Sequence, residues 1–249
     1  MDILLSRILK YLNGTLLYDT NYHICNFIIS HYQEMVDLDE EAFLKESGFS
    51  RDDLYGFISL LGYNQYDEFN NALYNNHVTR LNQIRVRLLD ISSDDLIENM
   101  DKDCSNEEMK AQVSSICEKI FKAKRVILIG ALYPTSIAVE LQTDLITFGK
   151  QCIQYHNYDP MVLNKDDVVL FISATGRALR GFKRAKSDMH IEEAQTILIT
   201  QNKQLTKTEV NDHTDVLYVP GKFDSINFNY QIMTICDLLR IHYFQQYYL

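Results

Sequence analysis

A chain of 249 residues, 46% of them hydrophobic and without a low-complexity tract, can bury a substantial core, so a disordered chain is excluded and two domains are expected. The formal net charge of −10 is an N-terminal property: residues 1–76 hold four Lys/Arg against twelve Asp/Glu, whereas residues 126–249 hold eleven against thirteen. No apolar run approaches the roughly 20 residues of a membrane span, the N-terminus lacks a basic start followed by an apolar core, and the five scattered cysteines show no zinc-site spacing; a cytoplasmic protein without membrane partner, metal or cofactor is expected.

In chain order, Ile3–Leu12 reads as a helix with Ile3, Leu4, Leu5, Ile8, Leu9 and Leu12 on one face, stopped at Asn13-Gly14. A second helix is expected over Asn21–Tyr32. Asp39 is placed to cap a short helix through Phe43 and Leu44 that ends at Ser47-Gly48, and Ser50 to cap another whose inward residues are Leu54, Phe57, Ile58 and Leu61. Two short helices with a tight glycine turn form a helix-turn-helix, although small bundles without nucleic-acid function contain the same arrangement. Asn70–Leu89 continues as a helix with Arg80, Arg85 and Arg87, a positive cluster that could help bind DNA but more commonly marks a solvated helix face, and Ile91–Asp95 breaks it as a linker.

Asn106–Phe121 follows as a helix with one apolar stripe. The β-branched run Val126–Ile129 suits a strand buried on both faces, closed by Gly130; a loop holding Pro134, Thr135 and Ser136 and then a helix to Gly149 are expected after it. The pattern repeats at Asp167–Ile172, leading into Ser173-Ala174-Thr175-Gly176-Arg177, and at Thr196–Thr200, leading into Gln201-Asn202-Lys203. Strand, polar turn and helix in series imply βαβ units, with ligands at the C-terminal strand ends. Ile226–Leu249 reads as a helix whose apolar residues exceed one stripe, which suits a homodimer contact.

The run D-L-D-E-E-A-F-L-K-E-S-G-F-S-R-D-D-L-Y-G-F-I-S-L-L-G-Y-N-Q-Y-D-E-F resembles the N-terminal domain of RpiR-type (MurR/RpiR) transcriptional regulators, matching their pattern at Ser50, Arg51, Phe57, Leu61, Gly62, Tyr63, Tyr66, Glu68 and Phe69. The family's basic recognition-helix positions are Gly56, Ser59 and Leu60 here, and Asp52 and Asp53 stand near the helix start, where carboxylates repel a phosphate backbone. The resemblance implies DNA as a partner, with Lys45, Ser50, Arg51, Tyr55 and Ser59 as the candidate DNA-binding residues.

The second half resembles the SIS (sugar isomerase) domain that follows the helix-turn-helix in such regulators, through Val126–Gly149, D-D-V-V-L-F-I-S-A-T-G-R-A and T-I-L-I-T-Q-N with the later T-D-V-L-Y-V. The family's S-x-S-G-x-T loop reads Ser173, Thr175, Gly176 and Ala178, and its G-x-G-x-S loop reads Gly130, Leu132 and Pro134. The resemblance implies a phosphorylated sugar or related metabolite held by Gly130, Thr135, Ser136, Ser173, Thr175, Gly176 and Arg177. Glu140, His156, His190, Glu192 and Glu193 are bases by type, but their spacing singles none out for isomerisation.

The resulting expectation is an all-α helix-turn-helix domain over residues 1–77, a helical linker over 78–105, and an α/β three-layer SIS domain with a central parallel sheet over 106–249. The expected function is a non-enzymatic transcriptional regulator sensing a phosphorylated metabolite. The rival expectation is a diverged SIS-domain binding or interaction protein that has lost ordinary DNA binding, with a sugar-phosphate isomerase behind it.

Overall fold

The computed structural model describes residues 4–130, 132–155, 161–205, 210, 214–221 and 225–249, with the backbone alone at 132, 133, 187 and 225. Ile3 and His156 lie outside the described residues. The chain divides into one unit of Met1–Arg87 with Leu145–Gln151 and another of Leu88–Asp144 with Cys152–Leu249.

In the first unit, α1 (Leu4–Gly14) buries Leu4, Leu5, Ile8, Leu9 and Leu12, the stripe visible in the sequence. Asp19 caps α2 (Thr20–Ser30) by accepting from the Tyr22 N–H at 2.9 Å. Asp39 does the same for α3 (Glu40–Ser47), accepting from the Ala42 N–H at 2.8 Å, and Gly48 ends that helix with φ +74°, a left-handed turn favourable to glycine. Ser50 and Asp53 close a reciprocal capping box at the start of α4 (Arg51–Leu60). Tyr66 and Phe69 at the head of α5 (Tyr66–Leu88) fill the space against Phe43 and Phe57, at ring separations of 5.7 and 6.4 Å, and the Tyr66 hydroxyl donates to Leu38 O at 2.9 Å. The helix runs unbroken through residues 77 and 78.

In the second unit, α6 (Ser93–Asn99), capped by Ser92, occupies a stretch expected as linker. α7 (Asn106–Lys122) starts on a Ser105–Glu108 capping box and buries Met109, Val113, Ile116, Cys117 and Ile120. Five strands follow: β1 (Arg125–Gly130), β2 (Gln151–Gln154), β3 (Asp167–Ile172), β4 (Gln195–Thr200) and β5 (Thr214–Tyr218), in the sheet order β2-β1-β3-β4-β5. The β1–β3, β3–β4 and β4–β5 pairings are parallel. Every residue of β3 is buried, as its unbroken apolar run requires for a central strand. β2 was not legible in the sequence, because Gln-Cys-Ile-Gln holds only two apolar residues.

Between β1 and β2 stand two helices, α8 (Leu132–Ile137) and α9 (Val139–Thr147), where a loop and one longer helix were expected. Pro134, Thr135 and Ser136 therefore sit within α8. Pro134 is tolerated as its third residue, since first-turn N–H groups have no intrahelical acceptor. α10 (Arg177–Ala185) follows β3, and α11 (Ser225–Tyr243) ends the chain in a π-helical turn, Phe244–Tyr248. α11 lies against α7: Cys117 Sγ donates to Leu239 O, and Ser114 Oγ lies 3.1 Å from His242 Nε2. That packing uses one face of α11 and leaves Ile226, Tyr230 and Met233 exposed on another.

Candidate functional site

The chain leaves β1 toward β2 on one side and then enters β3 on the other, so the C-terminal ends of β1 and β3 flank the reversal of strand order, where open parallel sheets bind ligands. Gly130 and Ile172 are register partners there. A Cβ on Gly130 would stand 3.1 Å from Ile172 O and 3.2 Å from the Thr135 methyl, so glycine lets α8 close down on the strand end. Gln154 Nε2 donates to Thr135 O at 2.9 Å and fixes that turn of helix from β2. Thr135 is half-buried and Ser136 is exposed.

On the β3 side, the Ser173 N–H donates to Ile199 O at 3.0 Å, and Gly176 turns the chain into α10 with φ +73°. A Cβ on Gly176 would meet the Leu205 side chain at 3.0 Å. Ser173 Oγ accepts from the Ala178 N–H at 3.2 Å, and Thr175 Oγ1 accepts from Arg177 Nε at 3.1 Å and from the Arg177 N–H at 3.4 Å. Both hydroxyls thus attend the start of α10, where helix-terminal N–H groups favour an anion.

The end of β4 holds the loop from behind. Ala174 O accepts from Thr200 Oγ1 at 2.9 Å and the Gln201 N–H at 3.0 Å; Thr175 O accepts from Asn202 Nδ2 at 3.0 Å. Gln201 and Asn202 are site-forming residues absent from the sequence-derived set. The sequence placed them at a third strand end, and only the register of β4 beside β3 joined them to the Ser173–Arg177 loop. α10 adds charge: Arg177, Arg180, Lys183 and Arg184 lie on it without an acidic residue, and Arg180 Nη2 reaches Thr175 O at 3.4 Å. The structure therefore brings together Gly130 with Thr135, and Ser173 with Thr175, Gly176 and Arg177, around adjoining strand ends. It leaves Ser136 on the exposed side of α8.

The residues considered as bases that the structure describes, Glu140, His190, Glu192 and Glu193, are placed elsewhere. Glu140 is engaged by Arg240, Oε1 to Nη2 at 3.3 Å. Arg240 also meets Asp144 at 2.7 Å and Asp237 at 2.8 Å, a buried hub tying α9 to α11. His190, with φ +55°, and the exposed Glu192 and Glu193 lie in turns leading into the start of β4, the opposite end of the sheet from Ser173. A cleft of about 380 Å³ also lies at that opposite end, lined by Lys119, Lys122, Lys165 and Asp166 among others, and has no part in the strand-end site. Among the described residues, no group of three His, Cys, Asp or Glu is arranged to hold a metal, and no helix is long and apolar enough to cross a membrane.

In the first unit, Lys45, Arg51 and Ser59 are exposed, but Arg51 and Tyr55 both turn to Glu40 on α3. Arg51 Nε lies 2.8 Å from Glu40 Oε1, and the Tyr55 hydroxyl donates to Glu40 Oε2 at 3.1 Å. Desolvation and then that bond to a carboxylate raise the Tyr55 pKa above its ordinary value. Ser50 Oγ is occupied by the Asp53 N–H and carboxylate. Arg80, grouped in the sequence with Arg85 and Arg87 as a solvent-facing cluster, is buried; only the other two face solvent.

No family model matches the chain, and no curated protein does. Among solved structures it is similar to the Vibrio vulnificus NanR protein complexed with ManNAc-6P, at 15% identity over 98% of this chain and 92% of that one, with a TM-score of 0.44. It is similar to the sugar isomerase domain of an RpiR transcription factor from Sphaerobacter thermophilus, at 18% identity over 66% and 91%, with a TM-score of 0.43. It is also similar to the Methanococcus jannaschii protein MJ1247, whose structure infers a 3-hexulose-6-phosphate isomerase function, at 19% identity over 62% and 86%, with a TM-score of 0.47.

Proposed function

We propose that this chain is a cytoplasmic, dimeric regulator of RpiR type, whose SIS-like α/β unit binds a phosphorylated sugar or related metabolite and whose helical unit carries a helix-turn-helix for DNA. The observation that carries the ligand reading is the loop Ser173–Arg177. Two hydroxyls and the N–H groups opening α10 meet there beside an acid-free basic helix, at the strand-order reversal of a parallel sheet. The dimer reading rests on Ile226, Tyr230 and Met233, an exposed apolar stripe at helical spacing on α11. A sensor fits better than an isomerase, because of the candidate bases among the described residues Glu140 is engaged by Arg240, and His190, Glu192 and Glu193 lie at the far end of the sheet.

One observation favours a second reading, a binding protein that no longer holds DNA in the ordinary way: Glu40 engages Arg51 and Tyr55, two of the residues meant to meet the nucleic acid. Titration of the protein onto DNA from upstream of its own gene, across a salt series and with a panel of sugar phosphates, separates the two. Sequence-specific binding that weakens steeply with salt and responds to one metabolite is expected for the regulator. A folded, dimeric protein with no DNA binding above background at low salt refutes that role. Retention of a phosphosugar's full thermal stabilisation in Ser173→Ala would remove Ser173 from the site.

A further inference from the structure

We infer that Gln201 is a specificity-determining residue of this site: its side-chain carbonyl accepts a hydrogen bond from a hydroxyl or amide N–H on the non-phosphate part of the ligand. The inference rests on the phosphosugar reading above and deepens it.

Gln201 is only 4% exposed, and its Oε1 is fully buried without a hydrogen-bond partner among the described residues. Leaving an amide carbonyl unpaired in the interior is costly, so such an atom calls for a donor that the described residues do not supply. The orientation of the amide is fixed by its other end: Nε2 donates to Pro220 O at 2.8 Å, and a flipped amide would set two carbonyl oxygens against each other. Gly221 is built around the same group. A Cβ there would fall 2.0 Å from Gln201 Nε2, and its φ of +127° is open to glycine. The backbone ties Gln201 to the ligand loop, its N–H donating to Ala174 O at 3.0 Å between Ser173 and Thr175. Gln201 therefore stands one strand over from Ser173 and Thr175, and its orphan acceptor is assigned to the part of the ligand beyond the phosphate.

The test measures binding of inorganic phosphate, glucose 6-phosphate and N-acetylmannosamine 6-phosphate, and of single-deoxy analogues of whichever sugar phosphate binds tightest, to the full chain and to Gln201→Met. Methionine keeps the length and removes the acceptor. The expected result is a roughly ten- to hundredfold loss of sugar-phosphate affinity in the variant, with a smaller loss for inorganic phosphate. One deoxy analogue should bind the unaltered protein more weakly and lose that disadvantage in Gln201→Met. Should the variant fail to fold, the deoxy series on the unaltered protein decides alone: equal affinity for every analogue overturns the inference. Full sugar-phosphate affinity in a folded Gln201→Met overturns Gln201's role and leaves the site standing. If the unaltered protein binds none of the probes, the site reading falls and Gln201's role with it.

Discussion

Glu40→Gln is the substitution that most directly probes the helical unit. In the native chain the Glu40 carboxylate lies 2.8 Å from Arg51 and accepts from Tyr55, so it withholds a cation and a hydroxyl from the exposed end of α4. The Arg51 side chain is 65% exposed and that of Glu40 22%, and an ion pair this wet contributes about 0–1 kcal/mol. The glutamine carbonyl can still accept from Tyr55, so the variant should unfold within about 1 kcal/mol of the native protein. Under the regulator reading, its DNA binding should change more. The net charge of residues 1–76 falls from −8 to −7, and a released Arg51 can make one more phosphate contact, which steepens the slope of log affinity against log salt by about 0.9. Between 200 and 50 mM salt that slope amounts to a factor of about 3.5, so the variant's advantage should grow by that factor across the range. Fluorescence anisotropy on labelled upstream DNA, with Arg51→Ala added as the control that cancels the gain, reads it directly. Superimposable salt slopes for native and variant protein would refute the view that Arg51 is a DNA contact restrained by Glu40.

Other perturbations test the frame of the α/β unit and its surroundings. Arg240→Leu leaves Asp144, which is fully buried, without the arginine that bonds it at 2.7 Å, and should cost about 3–5 kcal/mol in urea unfolding; a loss under about 1 kcal/mol would mean that the hub is not structural. Gly221→Ala forces a side chain onto Gln201 at a φ of +127° and should destabilise by more than about 1 kcal/mol in the same assay; an unchanged midpoint would refute the tight fit. Burial lowers the pKa of His77, and burial followed by the nearby Lys110 lowers that of His242. Both are favoured neutral in the fold, so their contribution is present above the unfolded value near 6.5 and is lost as pH falls below it toward the lowered folded values. Thermal midpoints should drop from pH 7.5 to 5.5, and the drop should shrink in the double variant His77→Gln, His242→Gln; an undiminished drop would assign it to other groups.

Caps and buried strands were legible because each is a local device. Asp39, Ser50 and Gly48 fix the ends of α3 and α4 by bonds within a few residues, and an unbroken apolar run such as Val168–Ile172 has few alternatives to a buried strand. Three features were hidden because they depend on partners far along the chain. β2 needs a neighbour to become a strand, α8 forms although Pro134 reads as a loop residue, and Arg80 looks like a solvent cation until its surroundings are known. The site divides in the same way. Ser173, Thr175 and Gly176 announce themselves as a turn opening a helix, whereas Gln201 and Asn202 join them only through the parallel register of β3 and β4.

That register bears on how a bound metabolite could control the helical unit. The Ser173–Arg177 loop is already held, its Ala174 carbonyl accepting from both Thr200 and Gln201 and its Thr175 carbonyl from Asn202. A preorganised loop binds an anion without paying to order itself, which favours affinity. For the same reason it offers an anion nearly equal binding in any two states of the protein, and a ligand with equal affinity for both shifts nothing. Under the regulator reading, control must then come from the part of the ligand beyond its phosphate, the part assigned to Gln201. Inorganic phosphate should bind and leave DNA affinity unchanged, while a sugar phosphate that engages Gln201 should change it, and the change should vanish in Gln201→Met. A response of equal size to inorganic phosphate would place the control in the loop itself and refute this division of labour.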